Sequence, residues 1–292
     1  PDPLPMDAED VAFDIDGHAY LRNPDADFIV RFDPNGWREI PFDYGESREK
    51  FISGLLVPGI SDSGGMSGGF SVSTRGRLAV HCRWPLEAKT EDTLLKVPEG
   101  EKASAPFKKY APQLFPGRYA GHEIHIFDKH GKWVLKDALP GVERTDGLHI
   151  DKDDYLYMTL NQTRSVQGLR YFNDISCTFL KAKAGKARIL TSAVATVPLP
   201  EADTPKRPAE LVGHKLGSAW VEGAEWIHGA VGLDGHEVDN ERVGRNCACI
   251  AKTHSDLDFF RRSFIAEVDH YSVIVLDGNG NPIVRLGRCG NV

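Results

Sequence analysis

Cys247 and Cys249, separated by one residue, form the sharpest candidate for chemistry in this sequence. In an extended strand, side chains two residues apart project from the same side, so both sulfur atoms would face one way. Two thiolates on one face make half of a site for a soft or borderline metal such as zinc or copper. The alternative is a structural role, as buried thiols or as disulfides to Cys82, Cys177 or Cys289. We favour the structural role, because zinc knuckles use a longer spacing and no second pair of cysteines follows.

A second candidate lies in the segment AWVEGAEWIHG, which begins at Ala219. In an extended strand, four of its side chains would share one face: Trp220, Glu222, Trp226 and His228. Two indoles with a carboxylate and an imidazole could form a platform for a sugar or another ligand. Tryptophan is also among the most heavily buried residues, and packing between sheets needs large side chains, so we favour a packing role.

Aspartates recur at equivalent positions of several short segments, and a cluster of carboxylates raises the question of calcium. They are Asp14, Asp16, Asp151, Asp153, Asp258 and Asp277. All of them lie where the chain is expected to turn, and an aspartate at a turn accepts hydrogen bonds from the backbone N–H groups of that turn. We therefore favour a structural role for these acids.

The elements that must position all these residues are themselves repeated. One unit recurs at Val11, Phe70, Leu148 and Ser255; for example, VAFDIDGHAYL from Val11 matches LHIDKDDYLYM from Leu148. A second unit recurs at Phe28, Glu123, Cys177 and Ser272; for example, FIVRFDPNGWREI matches SVIVLDGNGNPIV. Both units alternate apolar and polar residues, and Asp-Gly or Asn-Gly lies at the reversal in several copies. This pattern predicts a β-hairpin from each unit.

Two hairpins per copy form a four-stranded antiparallel sheet, and radial repetition of such sheets forms a β-propeller. The sequence therefore predicts an all-β fold, with one propeller domain over residues 1–292. Four blades are legible and five or six are expected, with residues beyond this chain completing the ring. A polar loop insertion is expected at about 83–120, and a loop-rich stretch at about 198–246.

The repeat register gives a third candidate, His149 and Asp256. Both occupy the position on the innermost strand that Ala12 and Ser71 hold in the other blades. His149 and Asp256 would line the central channel, where propeller enzymes place their ligands. A single histidine in a strand is more often structural, and no H-E-x-x-H pattern accompanies it.

Composition and charge exclude some classes of partner. The formal net charge is -7 and no basic cluster is present, which argues against a nucleic-acid-binding protein. No stretch approaches the roughly 20 apolar residues that a membrane-spanning helix needs.

The repeats resemble the NHL family of propellers, whose blades carry the D-x-D-G-x-x-Y and F-D-x-x-G patterns. Further strings are similar to large exported NHL/SMP-30-like proteins of planctomycete-type bacteria: YFND (171–174), PLPEADTPKRP (198–208), AWVEGAEW (219–226), CAC (247–249), RSFIAEVDHYSV (262–273) and VLDGNGNPIVRLGRCGNV (275–292). The resemblance implies an extracellular, cell-surface or periplasmic setting. It brings no established activity.

Two functions are compatible with these observations. The first is a non-catalytic scaffold or binding module of an exported protein, which presents its loops to a protein or glycan partner. The second is a metal-dependent hydrolase or lyase, gluconolactonase-like or peptide-amidating-lyase-like, with zinc, copper or calcium at the propeller channel. We favour the first because no strong catalytic constellation is visible, and whether the protein is an enzyme is left open.

Overall fold

The computed structural model describes fifteen stretches of the chain and, within them, no helix. They are residues 5–6, 8, 10–22, 28–42, 55–56, 69–84, 121–140, 142, 145–160, 163–166, 169–170, 178–191, 218–228, 255–267 and 272–287. The described residues therefore contain no helix that is long and apolar enough to span a membrane. Four antiparallel sheets stand in a propeller arrangement, and this confirms the predicted all-β propeller fold.

Three of the four blades follow the order of the sequence, with each strand paired to the next. Blade one contains β1 (Asp10–Phe13), β2 (Ala19–Arg22), β3 (Phe28–Asp33) and β4 (Arg38–Glu39), with the short β5 (Leu55–Leu56) also paired to β3. Blade two contains β6 (Phe70–Val72), β7 (Leu78–Trp84), β8 (Gly121–Phe127) and β9 (Trp133–Leu135). Blade four contains β18 (Asp256–Leu257), β19 (Ser263–Glu267), β20 (Ser272–Leu276) and β21 (Pro282–Leu286).

Blade three takes its outermost strand from a distant part of the chain. Its strands, from the axis outward, are β10 (Thr145–Ile150), β11 (Tyr155–Leu160), β14 (Thr178–Lys183) and β17 (Ala224–His228). The repeat at Cys177 predicts a hairpin in which the strand after Gly185 pairs back onto β14. The turn is present, since Lys186 N donates to Lys183 O at 3.0 Å. The next strand, β15 (Arg188–Thr191), nevertheless pairs with β16 (Ser218–Glu222).

Gly223 explains this difference. It has a φ of +76°, and a Cβ at this position would lie 2.8 Å from Lys186 O, so only glycine lets the chain bend here between β16 and β17. The bend carries β17 onto β14 in place of β15, with Ala182 opposite Ala224 and Leu180 opposite Ile227. A fifth sheet, of mixed direction, joins β15 and β16 to β12 (Thr163–Val166) and β13 (Leu169–Arg170).

The core lies between the blades. The innermost strands are neighbours in the order β1, β6, β10 and β18, which arranges the blades around an axis. Apolar side chains of blades two and three form one cluster, which includes Ala79, Ile124, Ile126, Leu148, Ile150, Leu156, Met158 and Leu180. Blades three and four form another, which includes Tyr157, Phe179, Ile265, Ile274 and Leu276. Each blade is thus held by the face of the next.

Candidate functional site

His149 lies on the innermost strand of blade three and faces blade four. Its Nε2 is 2.8 Å from the backbone oxygen of Ser255, and because a carbonyl only accepts, Nε2 carries the proton. Ser255 Oγ donates in turn to Gly147 O at 3.0 Å. Burial lowers the pKa of His149 and outweighs this backbone hydrogen bond and the charges of Asp256 and Asp10, which act to raise it. His149 is therefore a neutral imidazole at neutral pH.

Two carboxylates from two other blades lie near this imidazole. Asp256 begins β18 of blade four and is exposed, and its Oδ1 accepts from Leu257 N at 2.8 Å. Asp10 begins β1 of blade one, and its Oδ1 accepts from Val11 N at 2.9 Å. The structure thus brings the predicted pair His149 and Asp256 together at the axis. Sequence reasoning missed Asp10, although it lies two residues before Ala12 on the same face of its strand.

The axial group consists of Asp10, His149 and Asp256, and it is not a preformed chelate. Among the described residues, three ligand atoms within 4.8 Å of one another occur in one group, which is Asp14, Asp16 and His18. Imidazole and carboxylates suit zinc, and carboxylates suit calcium. A cation at the axis would have to draw the three side chains of the axial group closer together.

The Asp14 group is a capped turn. Asp14 Oδ1 accepts from the N–H groups of Asp16 at 3.0 Å and of His18 at 2.9 Å. Asp14 Oδ2 lies 2.9 Å from His18 Nδ1 and accepts from the Tyr20 hydroxyl at 3.1 Å. The carboxylate is already fully engaged by its own hairpin.

The same cap recurs in the other turns. Asp151 Oδ1 accepts from Asp153 N at 2.8 Å and from Tyr155 N at 3.0 Å. Equivalent bonds are made by Ser73, Asp128, Asp258 and Asp277. The structural interpretation of the recurring aspartates is confirmed.

Trp226 of the predicted aromatic platform lies between blades three and four. Its ring is 6.1 Å from that of Tyr157 and 5.9 Å from that of Phe179, measured between centroids. Its Nε1 donates to Gly278 O in blade four at 3.2 Å. Trp226 therefore serves as packing between the two blades.

The other residues of this segment have separate surroundings. His228 Nε2 lies 2.9 Å from Oε1 of Glu267, a fully buried carboxylate of blade four. Glu222 forms an ion pair with Arg188 across the β15–β16 pair. The side chain of Trp220 is not among those that the structure describes. A shared ligand role for the four residues stays a prediction.

The cysteine pair falls outside the described part of the chain. Cys247 and Cys249 lie there together with Cys177 and Cys289, whereas Cys82 belongs to β7. The metal interpretation and the disulfide interpretation both stay predictions.

Arg261 joins blades three and four at the turn end of the propeller. Its Nη2 contacts Asp153 Oδ2, and its Nε lies 3.4 Å from Asp151 Oδ2. Arg77 makes a similar link from blade two, with its Nε 3.1 Å from Asp154 Oδ1. Burial opposes the charge of Arg261, but Asp151 and Asp153 outweigh it and raise the pKa of the guanidinium. These ion pairs fix one blade against the next.

The turn rim, which we define as Ile15, Phe259 and Phe260, is the most exposed apolar feature at these turns. The exposed fractions are 63% for Ile15, 73% for Phe259 and 72% for Phe260. At the equivalent positions blades two and three carry polar side chains: Thr74, Arg75, Lys152 and Asp153. Large apolar side chains left in water in this way mark an interaction site more often than a folding requirement.

Comparison with known proteins adds a limited amount. No protein-family model matches the chain, and no curated protein matches it. The PQQ-bound form of aldose sugar dehydrogenase from Streptomyces coelicolor is 13% identical, with a TM-score of 0.36, and the match covers 95% of this chain and 67% of that one. AztD from Citrobacter koseri is 11% identical, with a TM-score of 0.26, over 98% of this chain and 74% of AztD. Its apo form gives 11% identity, a TM-score of 0.25, and coverage of 99% and 76%.

Proposed function

We propose that this chain is a non-catalytic binding module that recognises a protein partner through the turn rim. The observation that carries the proposal is the exposure of Phe259 and Phe260 at turn positions where blades two and three are polar. Burying two phenylalanine side chains on association contributes roughly 1.5–3 kcal/mol each, before the cost of ordering is subtracted.

The chemistry of the turn rim suits a protein. Phe259 and Phe260 meet edge to face, with ring centroids 5.6 Å apart and an interplanar angle of 89°. The guanidinium of Arg262 lies 5.4 Å from the Phe260 ring centroid. Aromatic and arginine side chains dominate protein interfaces. Two rings at right angles offer no flat double platform of the kind on which a sugar would stack, so we favour a protein over a glycan.

The surrounding structure supports a preorganised site. The turn that carries both phenylalanines is capped by Asp258, whose Oδ1 accepts from Arg262 N at 2.8 Å. Arg261, in the same turn, is tied to Asp151 and Asp153 of blade three. A surface held in this way loses little conformational entropy when a partner binds.

The proposed setting is extracellular, cell-surface or periplasmic. Its support is the similarity of the repeat motifs to NHL-type propellers of exported bacterial proteins, and the proposal includes membership of that repeat family. The capped Asp14 and Asp151 turns are compatible with the D-x-D-G-x-x-Y pattern acting as a structural motif.

A photo-crosslinking experiment tests the proposal. A photoreactive phenylalanine analogue at Phe259 should capture a protein in the native cell, whereas the same analogue at Lys186, an exposed residue on another turn, should not. The captured protein, once purified, should bind the F259S/F260S variant about 30-fold or more weakly than the wild type. Equal affinity for the two, or capture by a glycan alone, would overturn the proposal.

The axial group supports a second candidate function, a metal-dependent hydrolase or lyase. The observation that favours it is a neutral imidazole close to two carboxylates from different blades. Elemental analysis of the purified chain for zinc, copper and calcium decides the matter. A stoichiometric metal that is lost from H149A but kept in H130A, which changes an exposed histidine, would support the enzyme. Metal lost from C247S/C249S instead would place the ion at the cysteine pair.

A further inference from the structure

The outer strand of blade four differs from the outer strands of the other blades. All five residues of β21 (Pro282–Leu286) are exposed, on both faces of the sheet. The outer strands of blades one to three, which are β4, β9 and β17, each keep partly buried residues. In the described part of the chain, β21 ends the order β18-β19-β20-β21, so its outer edge has no strand beside it there.

The exposed residues of β21 are apolar. Ile283, Val284 and Leu286 are 53%, 44% and 52% exposed. Val273 on the neighbouring β20, which lies opposite Leu286, is exposed as well. We call these four residues the blade-four edge. An exposed apolar edge strand without lysine is a template for pairing with another strand, and natural proteins normally blunt such edges.

The blade-four edge is electrically neutral, which matters for the identity of the strand that pairs with it. Its one charged residue is Arg285, whose Nε lies 2.6 Å from Oε2 of the buried Glu267. Ser272 Oγ donates to the same carboxylate oxygen at 3.0 Å. A surface with uncompensated charge would repel an identical copy, and this one carries no such charge.

We propose that the blade-four edge pairs with the same edge of a second copy of this chain, antiparallel, about a two-fold axis. Antiparallel pairing over all five residues of β21 places Val284 opposite Val284 of the second copy, Ile283 opposite Arg285, and Pro282 opposite Leu286. The two blades four then form one continuous eight-stranded sheet. A two-fold contact of this kind closes on itself and limits the assembly to a dimer.

The pairing brings apolar side chains together at the axis. Opposed residues on one face of an antiparallel pair have Cβ atoms about 4.5–5.5 Å apart, and apolar β-branched pairs at that distance are favourable. Like charges directly opposite one another are unfavourable, so the residue on the axis gives a sharp test. The proposal is independent of the turn rim, which lies on a different part of blade four.

Light scattering on the purified chain, over a range of concentrations, tests the proposal. The wild type should reach twice the mass of one chain. V284K and V284E should each raise the dimer dissociation constant about tenfold or more, because each places two like charges opposite one another. The matched control is V134K, which changes a valine that is 45% exposed on β9, the outer strand of blade two, and should leave the dimer unchanged.

Mixing the two charged variants separates a pairing defect from a folding defect. An equimolar mixture of V284K and V284E places lysine opposite glutamate and should restore the dimer, which two misfolded variants could not do. A wild type that stays monomeric at its highest soluble concentration would overturn the proposal. Failure of the mixture to dimerise, or V284K dimers as stable as the wild type, would overturn it as well.

Discussion

Gly280 lies so close to the indole of Trp226 that a Cβ atom at this glycine would be 2.7 Å from Trp226 Cγ. Gly280 closes the second turn of blade four, and Trp226 lies on the outer strand of blade three. The backbone of one blade thus rests directly on an aromatic face of the previous one, and the glycine is needed for this approach as well as for its φ of +84°.

Replacing this glycine should loosen the contact between blades three and four. We expect G280A to lower the free energy of unfolding by about 3 kcal/mol, from overlap with Trp226 and from a left-handed φ. The control is G36A at the equivalent turn of blade one, where φ is +83° and nothing lies within 4 Å of the added Cβ. Its cost should be about 1 kcal/mol, from the backbone alone. Urea unfolding measures both, and equal losses would contradict the packing.

Arg261 should stabilise the same interface through charge. Its partner Asp151 is 4% exposed, and Arg261 itself is 29% exposed. We expect R261A to lower the free energy of unfolding by about 1 kcal/mol, with a smaller loss in high salt, since Asp151 keeps its backbone partners. The neighbouring R262A removes a more exposed pair with Asp258 inside one turn and should cost at most about 0.5 kcal/mol. Thermal melts at two salt concentrations compare them.

Glu267 should make stability depend on acid pH. Burial acts to raise the pKa of this carboxyl, but hydrogen bonds from Arg285, His228 and Ser272 outweigh it and hold the pKa below its ordinary value. A lowered carboxyl pKa stabilises the fold above the unfolded pKa, and that stability is lost as the pH falls through the folded pKa.

The E267Q variant tests this dependence. It should cost about 2 kcal/mol at pH 7, because charge-assisted hydrogen bonds to a buried group are lost, and the difference from wild type should shrink below about pH 4. Denaturant titrations at pH 7 and pH 3.5 measure the effect. E225Q, on the exposed face of β17, is the control and should behave like wild type at both. A pH-independent difference would show that the carboxylate charge is not involved.

Asp137 should act in the opposite direction. Burial, helped by the charge of Glu123, raises its pKa to about 7, and its Oδ1 is buried without a hydrogen-bond partner among the described residues. Between about pH 4 and pH 7 the folded state therefore binds a proton that the unfolded state has released, so stability falls as the pH rises through this range.

The D137N variant removes this ionisation. Asn tolerates the positive φ of 44° found at this position, so the backbone should be kept. We expect D137N to be more stable than wild type by about 2 kcal/mol at pH 8 and to match it near pH 4. D16N, at an exposed carboxyl, should show no such crossover. Thermal unfolding across pH 4 to 8 makes the comparison, and a constant offset would contradict it.

The sequence reveals the hairpins because their determinants are local. Asp14 and Asp151 cap turns within four residues of themselves, and the alternation of Leu156, Tyr157 and Met158 reports the two faces of one strand. The position of β17 is different. Residues 178–190 repeat the pattern of the other second units, and only the backbone bend at Gly223 sends the next strand elsewhere.

The candidate sites show the same division. Repeat register was enough to place His149 and Asp256 at the axis, since equivalent positions of a repeat fall at equivalent radii. Asp10 and Arg261 act between blades, on partners distant in sequence, and no local pattern reports such a partner. For the turn rim, the signal was present: Phe259 and Phe260 stand where the other copies have polar residues.

The late arrival of β17 has a consequence for biosynthesis. When β14 leaves the ribosome, Phe179 and Tyr157 still lack the indole that covers them, and they stay uncovered until residues 224–228 have been translated. Blades one and two are complete in the nascent chain by then, since chains begin to fold from the N-terminus during synthesis. The second half of the propeller must therefore form post hoc, as a single cooperative unit, on a first half that is already folded.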